Sequence, residues 1–384
     1  MSYWSVVLIL ITVCLFILPL LPALLELFHP TDMAPLKVVQ AYDNNPMYFA
    51  EGFQNYIHTH LIQPDGGRTV KRADTLADGT SYQRLEENEQ VDFGGKQHTH
   101  KLLFSHYSLT LPGEKIFEAE VFSGLRLVTG AGSHFRALMA NESLAIGDNS
   151  TVWRWAHSDG DVTVGRNAAL NGRVTSRKTL TLGIGCRFER LHAAKIVCGT
   201  ENIEPEFMPQ MERTVLAELP DVKTLAGRRS LLEGDLDFPA GHEFDGDIVA
   251  GSTALIGDNA YIKGNIKSNA LNDLTHYLHS TGAMTDKTKG SARCELGNHV
   301  RIDGAVISTH DLIIGQYCRI LGPVIAENLL VIRTGTIIGS PLHPSTVTAP
   351  EIIIESGCII YGSLFATKQG MVRTAIGLNE EIAA

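Results

Sequence analysis

The pattern that most constrains this chain is an eighteen-residue period. In the C-terminal half an aliphatic residue, often followed by Gly, recurs in Ile256-Gly-Asp-Asn-Ala, Leu296-Gly-Asn-His-Val, Ile314-Gly-Gln-Tyr-Cys, Ile332-Arg-Thr-Gly-Thr and Ile354-Glu-Ser-Gly-Cys. The spacings are 40, 18, 18 and 22. They read as two periods plus four, one, one, and one plus four, with Phe238 one period before Ile256. The excess residues are expected as loops, one within about 268–292 and one at Pro341-Leu-His-Pro-Ser. Val128, Ile146, Val164 and Leu182 repeat the 18-residue spacing earlier, and Ile146-Gly-Asp-Asn-Ser closely matches Ile256-Gly-Asp-Asn-Ala. Two stacks are therefore expected, 108–200 and 232–375, joined by a linker over 201–231.

Counted from the lead aliphatic, the apolar residues fall in columns. Two positions before it stand Leu144, Val162, Leu180, Leu236, Leu312, Leu330 and Ile352. Six after it stand Val152, Leu170, Phe188, Phe244, Ile262, Ile302, Ile320, Ile338 and Ile360. Ten after it stand Val174, Ile248, Ile266, Val306, Val324 and Leu364. Gly recurs eight after it, at Gly172, Gly246, Gly264, Gly304, Gly322 and Gly362, where a side chain would obstruct the backbone. Alternation in short runs broken by Gly means short strands with corners. Three per period predict a mainly β fold, a triangular parallel β-solenoid rising about 4.8 Å per rung.

Small residues fill the fourth position after the lead: Ser150, Ala168, Cys186, Ala260, Val300, Cys318, Thr336 and Cys358. Three of the six cysteines thus read as buried free thiols, and no CxxC or metal-ligand spacing occurs.

Met1 to Leu25 holds no Asp, Glu, Lys or Arg. Its apolar run from Trp4 is long enough for a bilayer, which needs roughly 20 residues. It lacks the basic start and small-residue cleavage site of a signal peptide. Residues 1–28 are expected as a single-pass transmembrane anchor, with 4–27 in the membrane. The nearest basic residues, Lys37, Arg68, Lys71 and Arg72, follow the run and lean to a cytoplasmic body, with a periplasmic one still open.

The membrane-proximal region 33–107 has Tyr48, Phe49, Phe53, Tyr56 and Ile57 at helical spacing, which predicts a short amphipathic helix over 46–62. Its aromatic stripe reads as core or as a cap on the solenoid end. The polar segment 63–98 reads as a loop, 201–231 as a linker with a helical turn or two around Met211–Leu219, and 376–384 as a tail. His58 with His60 and His98 with His100 sit at the i, i+2 spacing that shares a strand face. They read as polar residues beside a loop rather than ligands, as does His276 with His279. His299 and His310 could act as acyltransferase bases but do not stand out among 15 histidines. No phosphate-binding loop, nucleophile elbow or carboxylate pair appears, so no catalytic residue, cofactor or metal is expected. The net charge of -10 argues against nucleic acid as a partner.

The repeats Ile256-Gly-Asp-Asn-Ala-Tyr-Ile-Lys-Gly-Asn-Ile-Lys and Leu296-Gly-Asn-His-Val-Arg-Ile-Asp-Gly-Ala-Val-Ile resemble those of bactofilins, the polymer-forming cytoskeletal proteins of bacteria. The resemblance covers about 232–370 well and 108–200 more weakly. It implies a right-handed triangular β-helix that assembles into non-polar filaments at the inner membrane without nucleotide. It also implies a scaffolding role in cell shape, envelope or polysaccharide synthesis, with envelope-associated partner proteins. The alternative is a membrane-tethered hexapeptide-repeat acyltransferase, whose left-handed β-helix also turns in 18 residues. Its hexads would put aliphatics at the twelfth position, where this chain has Ser176, Ser268, Ser308 and Ala326. Phe365, in the last rung, is the expected self-assembly residue, because a solenoid end exposes unpaired backbone groups.

Overall fold

The computed structural model describes residues 45–62, 71–199 except 88 and 92, 229–268 except 233, and 293–375. It also describes the backbone of Glu212–Arg213 and Val222–Leu225 and positions 3, 4, 7, 8, 11, 12, 15 and 18. The chain divides into two units, Met1–Asn45 and Pro46–Ala384. In the first, the described positions from 3 to 15 are helical, and the Thr12 hydroxyl donates to the Leu8 carbonyl at 2.8 Å. Most of the expected anchor lies outside the described residues. Among those described, no helix is long and apolar enough to cross a membrane.

The second unit is mainly β, a solenoid of about 13 turns with one short helix. Each regular rung carries three strands. Leu236–Phe238, His242–Phe244 and Asp247–Ala250 pair in parallel with Ala254–Ile256, Tyr261–Ile262 and Ile266–Ser268 of the next rung. Apart from Val128, the lead aliphatics and the columns two before, four after, six after and ten after all point inward and are buried. So are Ser176, Ser268, Ser308 and Ala326 at the twelfth position, where hydroxyls turn back onto backbone carbonyls: Ser176 donates to Gly160 at 2.7 Å, and Ser308 to Asp311 at 3.0 Å. Hydrophobic burial along these columns is the main favourable term, since every rung removes the inner face of its neighbour from water.

At the corners, where the ladder breaks, Asp and Asn side chains take over as acceptors. Asp148 accepts from the Arg166 N–H at 2.7 Å, Asp258 from Asn298 at 2.7 Å, and Asn298 from Gln316 at 2.9 Å. A second such column joins Asp247 to Asn265 at 2.9 Å and Asn265 to Ala305 at 2.7 Å. The outward Asp and Asn of the repeat thus satisfy orphan donors of the following rung. One residue beyond the first of these columns the backbone is left-handed in rung after rung, at Gly132, Asn149, Asn167, Gly185, Gly241, Asn259, His299, Tyr317, Gly335 and Gly357. Asn and Gly tolerate that conformation best. His299 and Tyr317 do not share the advantage, and their rings stack on each other at 5.2 Å.

Several expectations need correction. Ile256 stacks directly on Leu296, since Ala254–Ile256 pairs with Arg293–Leu296. The 40-residue spacing is therefore one rung plus a single long insertion, whose residues 269–292 lie outside those described. That insertion lacks the alternating aliphatics that hold the other rungs. Val128 faces outward opposite Ala145, and the inward lead of its rung is Thr129, so the spacing there is 17 rather than 18. The segment 63–98 is not all loop: Ala73–Thr75 and Ser81–Arg84 form an antiparallel pair, and Ser81–Arg84 continues in parallel onto Leu102–Ser105. The solenoid thus begins before residue 108. Glu212–Arg213 is a strand paired with His242–Glu243, where a helical turn is expected from the sequence. The predicted loop near Pro341 is present, with Leu342 exposed between the strands Ile337–Ile338 and Ser345–Glu355.

The largest correction concerns the two stacks. They share one hydrophobic core. The last strand of the first, Arg187–Cys198, pairs antiparallel with the last strand of the second, Cys358–Arg373, with Arg187 opposite Met371 and Cys198 opposite Cys358. The stacks meet tail to tail and form a single continuous ladder.

Candidate functional site

Three surfaces stand out: the tail-to-tail joint, the helix-covered outer face of the first stack, and that stack's starting edge. The joint is built from strands that elsewhere would carry the next rung. Leu191 lies opposite Leu364 and Ile196 opposite Ile360, so the apolar columns of the two stacks run into each other. Phe365, expected at an open end, is instead registered opposite Arg190, whose guanidinium lies 4.9 Å from its ring centroid. The edge it was expected to expose is already paired within the chain, which removes the reason for assigning it to self-assembly. Nδ1 of His192 lies 2.8 Å from the Ser363 hydroxyl across the same joint, and burial together with Arg173 holds its pKa below the ordinary imidazole value.

Five cysteines are described, and all are buried and free. Burial pushes the Cys186 thiol up to about 11 and those of Cys198, Cys294 and Cys318 to about 12, and raises Cys358 as well. Such thiols are poor nucleophiles and act as small core residues.

The repeated glycines pass close under the rung before them. A Cβ on Gly172 would lie 1.9 Å from the Arg154 carbonyl oxygen, on Gly264 2.1 Å from that of Gly246, and on Gly304 2.4 Å from that of Gly264. On Gly322 it would lie 2.4 Å from the Gly304 carbonyl carbon. Gly246 and Gly362 also have positive φ, 150° and 116°.

The helix Tyr48–Ile57 lies along the outer face of the first stack rather than over its end. Ile57, Ala50 and Leu61 are buried against outward residues of successive rungs: Leu102 and Phe104, Phe122, Ala137 and Met139, and Trp155. The Phe53 ring meets Trp155 at 5.3 Å. Tyr48 and Phe49 remain exposed, so only part of the aromatic stripe is core. At the helix start Arg173 donates to the Pro46 carbonyl at 3.1 Å, and Arg177 pairs with Glu51 at 3.3 Å. Arg177 also reaches Asp159 at 2.6 Å, Asp159 reaches Nε2 of His157 at 3.3 Å, and His157 Nδ1 reaches the Thr175 hydroxyl at 2.7 Å. This chain of polar contacts resembles a catalytic relay only superficially. His157 and Thr175 are 1% and 2% exposed, which leaves no approach for a substrate. Burial holds the His157 pKa below its ordinary value against the opposing pull of Asp159. The network was not legible in the sequence, because His157 and Thr175 come together only through the stacking of their rungs.

At the starting edge, His98–Thr99 pairs with Ile116–Phe117 and Leu109–Leu111 with Leu127–Thr129. Among the described residues each of these two edge strands has a neighbour on one side only. His98 and His100 share a face there, with Glu118 on the next rung beside His100. His58 and His60 fall in the irregular turn that ends the helix and join no such group among the described residues, and His276 and His279 lie outside those residues. His299 is committed to its stack on Tyr317, and Nδ1 of His310 meets the Thr309 hydroxyl at 3.3 Å. No protein-family model, no curated protein and no solved structure matches the chain.

Proposed function

We propose that the chain is a membrane-anchored, bactofilin-like scaffold: a right-handed triangular β-helix that self-associates at a bacterial inner membrane and positions envelope-associated proteins. The observation that carries the reading is the in-register parallel ladder of three-stranded, 18-residue rungs with aliphatic columns at the lead, sixth and tenth positions. Such a ladder ends in strands able to pair with another copy. The C-terminal ends of both stacks are used up in the joint, which leaves the starting ends for association. Antiparallel strands shield part of each: Ala73–Thr75 on Ser81–Arg84, and Val222–Leu225 on Arg229–Leu232. His98–Thr99 and Leu109–Leu111 are the described strands at the start of the first stack that such a partner would extend. The uncharged run from Met1 to Leu25 supplies the anchor, and the body faces the cytoplasm.

Sedimentation and negative-stain imaging of the detergent-solubilised full chain test the reading. Concentration-dependent oligomers or filaments are expected, unaltered in size by Phe365→Arg. A monomer at every concentration would overturn it, and loss of large species in Phe365→Arg would return assembly to the C-terminal end. A cytoplasmic reporter fused after Ala384 should be active and alkaline phosphatase there inactive. The reverse would place the body in the periplasm.

A further inference from the structure

The group at the starting edge has a geometry that its part in the fold does not require. His98 and His100 alternate with the buried Thr99 and so project to the same side of their strand. Their rings meet edge to face at 5.0 Å between centroids. The register that sets His98 opposite Ile116 and Thr99 opposite Phe117 carries on to bring Glu118 alongside His100. Oε2 of Glu118 lies 2.5 Å from Nδ1 of His100. One ligand atom from each of His98, His100 and Glu118 lies within 4.8 Å of the other two. An exposed pair of this kind adds little to stability, about 0–1 kcal/mol. Inward Phe117, with its ring stacked on Phe135 at 4.9 Å, already secures the strand.

We propose that His98, His100 and Glu118 form a binding site for a divalent transition-metal ion of the zinc class. Two imidazole nitrogens and one carboxylate oxygen make a donor set suited to Zn²⁺, which binds nitrogen and oxygen at about 2.0–2.2 Å and takes three protein ligands with one open position. Ca²⁺ and Mg²⁺ demand oxygen ligands, which two histidines do not supply. Nδ1 of His100 and Oε2 of Glu118 stand closer together than two ligands of one tetrahedral ion, so this pair must part slightly to admit the metal. All three belong to side chains on the outer surface, with His100 69% and Glu118 38% exposed, so small side-chain rotations adjust the spacing. The ion would bridge two rungs at the edge of the ladder, clipping the two-residue strand His98–Thr99 to Ile116–Ser123. Its fourth position would face solvent.

The test uses the purified full chain, stripped with a chelator and titrated with Zn²⁺ by calorimetry and with Co²⁺ by visible absorption. One equivalent is expected, with the visible bands of four-coordinate Co²⁺. Loss of outer-shell partners alone weakens metal sites about 10–100-fold, so His98→Ala and His100→Ala should each weaken binding by at least about tenfold. Glu118→Gln, which keeps the side-chain shape, should weaken it in the same direction and carries the test if the alanine variants fold poorly. A His58→Ala/His60→Ala variant should bind as the unmodified chain does. Absence of saturable binding for both ions, or unchanged affinity in His98→Ala and Glu118→Gln, would overturn the proposal.

Discussion

The ring of Phe188 fills the place that a side chain at Gly370 would take: a Cβ there would lie 2.2 Å from Phe188 Cε2. Gly370 is registered on Ile352, so it stands where the preceding rungs carry Leu312, Leu330 and Ile352. Phe188 is registered on Leu170, itself on Val152, and is bulkier than either of these two preceding members of its column. The gap left by one stack and the bulk added by the other meet across the antiparallel joint, where the two residues are paired. A core packed to crystal-like density has no other way to accept a phenyl ring there.

Refilling that gap should open the joint. Gly370→Leu is expected to destabilise the protein by about 1–3 kcal/mol, the usual cost of overpacking. Removing the ring as well, in Gly370→Leu/Phe188→Ala, should recover much of the loss. Chemical denaturation of the single and double variants measures this. A double variant no more stable than Gly370→Leu would show that the two side chains do not compete for one space.

The glycine column makes a separate expectation. Gly264→Val and Gly322→Val each force a branched side chain against the backbone of the preceding rung, which cannot move without breaking the ladder. A loss of about 3 kcal/mol is expected for each. Gly234, where a Cβ would meet nothing within 4 Å, serves as the contrast, and Gly234→Ala should be near neutral. Thermal midpoints that do not separate Gly234→Ala from the two valine variants would mean that the close approach is relieved at little cost.

Acid should weaken the fold through its buried histidines. Burial lowers the folded-state pKa of His157 and His192 below the ordinary value of about 6.5. The unfolded chain then binds more protons than the folded one once the pH drops below about 6.5. Their stabilising contribution is complete above that value and declines as pH falls towards the depressed folded values. The thermal midpoint should be lower at pH 5 than at pH 7.5. His157→Gln, unable to titrate there, should show a smaller decline. An identical pH dependence in that variant would remove His157 from the account.

The helix, the inward columns and the repeated glycines were legible in the sequence because each depends on local chemistry. Apolar residues at i, i+2 set the inner face of a strand, those at i, i+3, i+4 set a helix face, and Gly marks each close approach. The left-handed column of Asn and Gly was equally open to reading, yet His299 and Tyr317 interrupt it and hide the period. Which rung lies on which is set by packing between distant segments. Ala254–Ile256 could have stacked on a rung drawn from 269–292, but it stacks on Arg293–Leu296. Arg187–Cys198 carries the same alternation whether its neighbour is parallel or antiparallel, and its partner Cys358–Arg373 lies far along the chain. Periodicity determines which side of a strand faces the core. The identity and direction of the neighbour follow from complementary volumes such as Phe188 and Gly370, which belong to no local pattern and exist only once the two tails are brought together.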